Sequence, residues 1–451
     1  MRRTLVVVLM MSSLVGRAAA AAQEPAAAPI ALIGAKIHTV SAGTIDRGAI
    51  VIAGGKIQAV GPIDGVTVPQ QARIVDLSGR VVIPGLVDTH SHVGIYPRPS
   101  VPANEDGNEM TGAAQGELRA IDAIWPADPG IRMAQAGGIT TANIMPGSGN
   151  VMGGQTAYVK MRGRTIDEML IHREGVQGGM KMANGENPKR AYGSRGQAPS
   201  TRMAVAAMQR DIFIRAQAYK KKWDDHRAKI AAGTASEEPA RDLELEPVVE
   251  ILEGRRTVHH HTHRADDIMT VMRLAEEFGY LRNLVLQHVT EAYMVADEIA
   301  RLRVPCSIIV IDAPGGKHEA AGLTLANGGL LERAGVKVAI HTDDFIVNSR
   351  FFLRAGALSV REGMSEAGAL AALTINPAEM MGLADRLGSI AAGKDADLVV
   401  LSGEPFSVYT QVLQTYIDGQ VVFDRSRPED LRYATGGFAV ADRYPGGESG
   451  R

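Results

Sequence analysis

His90 and His92 stand two residues apart in the stretch Pro84-Gly85-Leu86-Val87-Asp88-Thr89-His90-Ser91-His92-Val93, just after the apolar run Val81-Val82-Ile83. Side chains alternate across a strand, so the two imidazoles share one face. Two imidazoles on one face can hold a single metal ion. A His-x-His pair alone is equally an ordinary strand end, so the later residues matter. Lys181 sits inside Gly179-Met180-Lys181-Met182, where a lysine is costly unless paired or modified. His259, His260, His261 and His263 follow Thr257-Val258, and alternation puts His259, His261 and His263 on one side and His260 on the other. His288 closes the run Leu284-Val285-Leu286-Gln287. His341-Thr342-Asp343-Asp344 closes Val336-Lys337-Val338-Ala339-Ile340.

Something must bring these strand ends together. Between 84 and 385, apolar strands are predicted near 81–87, 140–145, 155–160, 179–182, 257–261, 284–288, 307–310 and 336–340. Helical stretches at 266–278, 293–301 and 323–333 lie between them. Repeated strand–helix units of this number predict a (β/α)8 TIM-like barrel in the α/β class, with its chemistry at the C-terminal strand ends. Residues 30–83 and 386–425 read as short strands with hairpin turns at Gly54-Gly55 and Asp418-Gly419. Neither piece has enough strands to stand alone, so both ends are expected to build one small β-sandwich domain. Residues 94–130 read as a structured loop over the site, 201–253 as a charged helical insertion, and the tail after Glu429 as loose.

The 451 residues are 45% hydrophobic with a formal net charge of −2, enough for a large core and without a long basic run. Aromatics make up only 4%, against a nucleic-acid reader built on base stacking. Arg2 and Arg3, the apolar segment Leu5 to Met11 and the small residues Ala18 to Ala22 form the pattern of a cleavable secretory signal over residues 1–22. That segment is too short for a stable membrane span, so the expected location is exported, periplasmic or secreted. Cys306 is the only cysteine. It permits no intrachain disulfide, and its apolar surroundings assign it to packing.

On these residues the chain resembles the amidohydrolase superfamily of metal-dependent hydrolases, in its imidazolonepropionase-like and Xaa-dipeptidase-like branch. The resemblance rests on Pro84 to His92, Val258 to Asp267, Thr342-Asp343, Thr374-Ile375-Asn376-Pro377-Ala378, and Gly388 to Val400. It implies that His90 and His92 bind a buried metal and that His261 and His288 bind a more exposed one, or the substrate in a one-metal variant. Asp343 would be both ligand and proton shuttle. Lys181 matches a lysine that some members carboxylate to bridge two metals, with Glu174 as the other anionic candidate. One or two divalent ions are implied, zinc by default.

The implied reaction is hydrolysis of a C–N bond in a small amide, cyclic amide or dipeptide by metal-activated hydroxide, with Asp343 and His263 as catalytic groups. The alternative is deamination of a ring amidine at the same site, and a non-catalytic binding relative is a third reading. Asn150, Gln155, Tyr192, Arg190 and Arg264 are candidate substrate contacts, an arginine being suited to a carboxylate. One departure stands out: where the family usually has a small residue two before the last-strand aspartate, this chain has His341. By alternation it faces the same way as Asp343 and reads as layer packing, as a partner of Asp343, or as a ligand. The expected partner is a small-molecule substrate, with no nucleic acid and with a homo-oligomer allowed.

Overall fold

The computed structural model describes residues 28–313 and 316–437. The signal segment expected over residues 1–22 lies outside the described residues. Both chain ends contribute to one eight-stranded sheet. Its order runs Gln420–Asp424, Val412–Ile417, Leu398–Leu401, Val81–Pro84, Ile30–His38, Thr44–Ala53 and Lys56–Pro62, with Arg73–Asp76 also paired to Ile30–His38. Leu32, Ile37, Ile50, Ile57, Val82, Leu398, Val400 and Tyr416 form its core. Both expected hairpins are present. Gly54 and Gly55 have φ of 59° and 75°, and Asp418 and Gly419 have 50° and 73°, the left-handed values that two-residue hairpin turns require.

The site strands form two further sheets. One runs Val338–His341, Cys306–Ile309, Leu284–His288, Val258–Thr262, Met180–Ala183 and Met152–Gln155. The other holds Leu86–Ser91, Ile139–Ile144 and Ala157–Lys160. The two sheets meet at a bridge between Ser91 and Asp344 and at the Asp343 amide, which donates to the His90 carbonyl at 2.9 Å. The first five strands of the larger sheet are mutually parallel and fully buried, which is why they read as continuous apolar runs.

Two strand expectations need correction. Residues 81–87 are not one strand. Val81–Pro84 belongs to the end sheet, and the chain crosses to the site sheet at Gly85, where a side chain would collide with Thr140. Residues 155–160 are not a parallel barrel strand. Met152–Gln155 runs antiparallel to Met180–Ala183, and Ala157–Lys160 runs antiparallel to Ile139–Ile144.

The helices differ from expectation in one place and at the tail. The stretch expected as an insertion holds the helix Arg202–Ala231 and the short helix Glu246–Leu252. The first half of the long helix is part of the wall. Val205, Ile212, Phe213 and Ala216 are buried, and Phe213 stacks between Phe278 and Tyr280 at 4.9 Å each. Its second half carries the charge run on a largely exposed surface, with Lys220–Asp224 and Lys221–Asp225 pairs one turn apart. The start of the tail expected to be loose after Glu429 lies in the helix Pro428–Thr435, tied down by the Arg132–Asp430 ion pair, and the rest of that tail beyond residue 437 lies outside the described residues. Among the described residues no helix is long and apolar enough to cross a membrane.

Candidate metal and active site

The strand ends deliver His90, His92, Lys181, His261, His263, His288, His341 and Asp343 to one buried cluster. The ligand atoms of His90, His92 and Asp343 all lie within 4.8 Å of one another, as do those of His261, His263 and His288, and those of His90, His288 and His341. The Asp343 carboxylate faces His92 Nε2 at 2.9 Å and His90 Nε2 at 3.3 Å, and its side chain is 16% exposed. Lys181 Nζ, fully buried, donates to His90 Nε2 at 3.0 Å. Glu174 is exposed, which does not suit an anionic bridge among these buried groups.

Second contacts fix the imidazoles. His92 Nδ1 donates to the Met145 carbonyl at 2.7 Å, and His90 Nδ1 donates to Gln287 Oε1 at 3.3 Å. Each Nε2 lone pair is thereby turned toward Asp343. Gln287 Nε2 in turn donates to His259 Nδ1 at 3.0 Å, and His259 reaches Tyr158 at 3.1 Å, so His259 lies one layer beneath the cluster. His260 faces outward as alternation requires, bonded to Gln209 of the long helix at 3.2 Å. His261 Nδ1 meets Ser148 Oγ at 2.9 Å, and His263 Nδ1 meets Thr290 at 3.2 Å. His288 Nε2 is buried with no hydrogen-bond partner.

The backbone is strained where the strands end: His288 and Asp343 have φ of 71° and 49°. Non-glycine residues hold such values only when their surroundings impose them, and they cluster at functional sites. Protonation follows the burial. Burial pushes His90, His261 and His288 well below the usual imidazole range, helped by neighbouring cations, and takes His263 and His341 down to about 3. It also pushes Lys181 down to about 7. At Asp343 burial acts upward, but the neighbouring His92 and His341 rings and the Lys181 amine outweigh it and hold the carboxyl below its ordinary range. The result is neutral imidazoles at His90, His261, His263, His288 and His341 beside an ionised carboxylate, the protonation state of a metal donor set.

The candidate substrate contacts fare differently. Asn150 donates to the Glu109 and Gly112 carbonyls and to Tyr192, whose hydroxyl also donates to Gly112, so both hold the loop over residues 109–112. Gln155 is a correction. It pairs opposite Met180, at the end of that strand away from the site, and binds Arg256 and Gly116. Arg264 is another: its guanidinium is committed to Asp266 at 2.9 and 2.7 Å. Arg190 is exposed on the helix Glu186–Gly193, near enough to Lys317 to act on it electrostatically.

Three contributors, Lys317, Glu319 and Ser148, were missed because they come from the connections between strands. Lys317 Nζ lies 3.4 Å from His263 Nε2 and 3.9 Å from Glu319 Oε1. Glu319 Oε1 is buried without a hydrogen-bond partner, 3.6 Å from His261 Nε2. Asn187 approaches the same His261 nitrogen at 3.5 Å, and Ser148 holds its other one. The loop expected over the site does reach it, placing the Tyr96 ring edge-on to His92 at 5.5 Å.

The amidohydrolase family model matches residues 81–422. The chain belongs to the amidohydrolase family. It is an enzyme of a group whose members hydrolyse carbon–nitrogen bonds. It is 32% identical over 394 residues to the amidohydrolase tasK of Hapsidospora irregularis, covering 84% of this chain but only 39% of that protein. It is 27% identical over 428 residues to an imidazolonepropionase of Deinococcus radiodurans, covering 89% of this chain and 92% of that one. The crystal structure of an amidohydrolase from Thermotoga maritima MSB8 superposes with a TM-score of 0.82 at 38% identity, covering 88% of this chain and all of that one.

Proposed function

We propose that this amidohydrolase is an exported metal-dependent enzyme that hydrolyses a C–N bond in a small amide, cyclic amide or dipeptide. The observation that carries the reading is the convergence of His90, His92 and Asp343 with a buried Lys181 on the same His90 nitrogen. The donor set fits a divalent ion, zinc by preference. His90 and His92 present acceptor nitrogens fixed by Gln287 and Met145, His288 offers an unpartnered Nε2, and Asp343 adds an anionic oxygen. His90, His92 and Asp343 would hold one ion, and His261 and His288 a second. Lys181, carboxylated on Nζ, would reach both. Carboxylation turns a costly buried amine into an oxygen ligand, and the neutral amine that burial favours is the form able to react.

A divalent ion bound there would lower the pKa of its water from 15.7 to roughly 7. The chain's own residues do the rest. Asp343 takes a proton from the attacking water and delivers it to the leaving nitrogen. His263 and Lys317 supply hydrogen-bond donors where the carbonyl oxygen gains charge. The loop bearing Tyr96 narrows access beside His92. We read the six- and three-stranded sheets as the wall of a (β/α)8-type barrel over residues 84–385, and the end sheet as a small β-sandwich domain drawn from 30–83 and 386–425.

The test is a substrate panel of N-acyl amino acids, dipeptides and cyclic amides on zinc-loaded protein, with the metal count read by native mass spectrometry. Turnover with two ions per chain is the expected result. One ion with release of ammonia from a ring amidine would move the assignment to a deaminase, and no turnover with no ion bound would overturn the metal reading.

A further inference from the structure

Three of the four histidines proposed as ligands have an ordinary partner for the ring nitrogen that faces away from the ion: Gln287 for His90, the Met145 carbonyl for His92, and Ser148 for His261. The fourth, His288, has another histidine. His288 Nδ1 and His341 Nε2 lie 3.0 Å apart, and both side chains are buried. His341 Nδ1 continues to Ser307 Oγ at 2.7 Å, and Ser307 Oγ continues to Thr89 Oγ1 at 2.5 Å. His288 Nδ1 has only a distant second neighbour in Asp343 Oδ2, at 3.9 Å.

A neutral imidazole carries one donor and one acceptor, so this chain of contacts can run in only two directions. In one, His288 Nδ1–H donates to His341 Nε2, His341 Nδ1–H donates to Ser307, and Ser307 donates to Thr89. His288 Nε2 is then a bare lone pair. In the other, every donor is reversed, and His288 Nε2 carries a buried hydrogen with no acceptor. Among the described residues that nitrogen has no protein partner in either case, so the first direction is the one that leaves it able to take a cation.

We propose that His341 is a positioning residue: it accepts the Nδ1 hydrogen of His288 and so fixes the tautomer and ring plane in which His288 Nε2 binds metal. This rests on the metal reading above and deepens it. It also assigns a role to the residue that departs from the family pattern. A small side chain in place of His341 could not reach His288 Nδ1, which His341 Nε2 meets at 3.0 Å. Partners that orient a ligating histidine typically contribute about 10- to 100-fold in metal affinity.

The experiment compares wild type, His341→Leu and His341→Gln. Zinc affinity and stoichiometry are measured by chelator competition and elemental analysis, and thermal melts check the fold. Leucine removes the acceptor. Glutamine keeps a carbonyl that can accept from His288 and an amide that can donate to Ser307. His341→Leu should weaken the less tightly held ion by about 10- to 100-fold, and His341→Gln should recover most of that loss. The d–d spectrum of cobalt-substituted protein should shift in the leucine variant and return in the glutamine variant. Equal affinity in a folded His341→Leu protein would overturn the proposal. Complete loss of one ion that glutamine does not restore would also overturn it, by making His341 a ligand. Nitrogen-15 spectra of metal-free wild type, with histidine labelled, give an independent readout that does not need a variant to fold. His288 should carry its hydrogen on Nδ1, and a hydrogen on Nε2 would refute the inference. If wild type takes up no ion at all, the functional reading fails, while the tautomer still decides the contact.

Discussion

Two lysines are buried among the described residues, and the chain treats them in opposite ways. Lys160 Nζ meets Asp395 at 3.0 Å, Asp397 at 2.6 Å and Asp418 at 3.1 Å, where the site sheet meets the end sheet. Burial would lower its pKa, but the three carboxylates outweigh burial and raise it. Lys181 is as deeply buried, yet among the described residues no carboxylate lies within 4 Å of it. Its neighbours are His90 Nε2 at 3.0 Å and Met145 Sδ at 3.4 Å. The first lysine is a finished structural joint. The second is an amine that burial pushes toward its neutral form without a carboxylate beside it, and an amine left in that state is suited to modification or to ligand chemistry. An uncompensated buried group that the surroundings hold in place points to function more strongly than burial alone.

If that contrast is right, site variants should change chemistry and leave the fold, while joint variants should do the reverse. Asp343→Asn should give the largest effect on the site side, with turnover falling by about 10² to 10⁴ because an amide cannot carry the proton. Circular dichroism should match wild type, and near-full turnover would remove Asp343 from its role. Lys160→Ala should destabilise by about 3–5 kcal/mol in denaturant titrations, because it strands buried carboxylates. Activity per folded molecule should hold. A loss under about 1 kcal/mol would mean water replaces the ammonium at little cost.

The same joint has a pH signature. Asp395 is pushed up by burial, but Lys160, Lys56 and Arg386 outweigh that and hold it at about 2, below its ordinary 3.8. Its contribution is therefore present above about pH 4 and is lost as pH falls toward 2. The acid limb of the stability curve should flatten in Asp395→Asn, as read by urea midpoints across that range. Lys181→Ala should leave stability nearly unchanged but remove about one metal ion per chain, partly restored by short carboxylic acids. Unchanged metal content would withdraw the carboxylated lysine. The smallest effect is expected for Arg264→Ala, within about 0.5 kcal/mol in stability since its ion pair is exposed. A rise in KM of tenfold or more would return Arg264 to the substrate site.

Period-two alternation made most of the cluster legible. It placed His90 with His92, put His261 and His263 on the inner side, and sent His260 outward to Gln209. Alternation does not say how deep a residue sits, so His259 looked equivalent to His261 although it lies one layer lower. Nor does it place connections: Lys317, Glu319 and Ser148 arrive from segments whose course no periodicity records. Gln155 was misplaced because nearness in sequence to a strand was taken as nearness to the site, and its segment runs backwards.

The end sheet has a consequence for the order of events during synthesis. Val81–Pro84 sits between Ile30–His38 and Leu398–Leu401, so one of its two edges finds its partner only after some 300 residues have intervened. The N-terminal strands emerge from the ribosome early and must wait, with an apolar edge open, until nearly the whole polypeptide has been made. Contacts that span so much chain form slowly, and an open strand edge is a template for pairing with other molecules. Premature termination anywhere before residue 398 would therefore yield more than an inactive enzyme. It would yield a sticky one, and the cell's chaperones have reason to hold this chain until its last strands arrive.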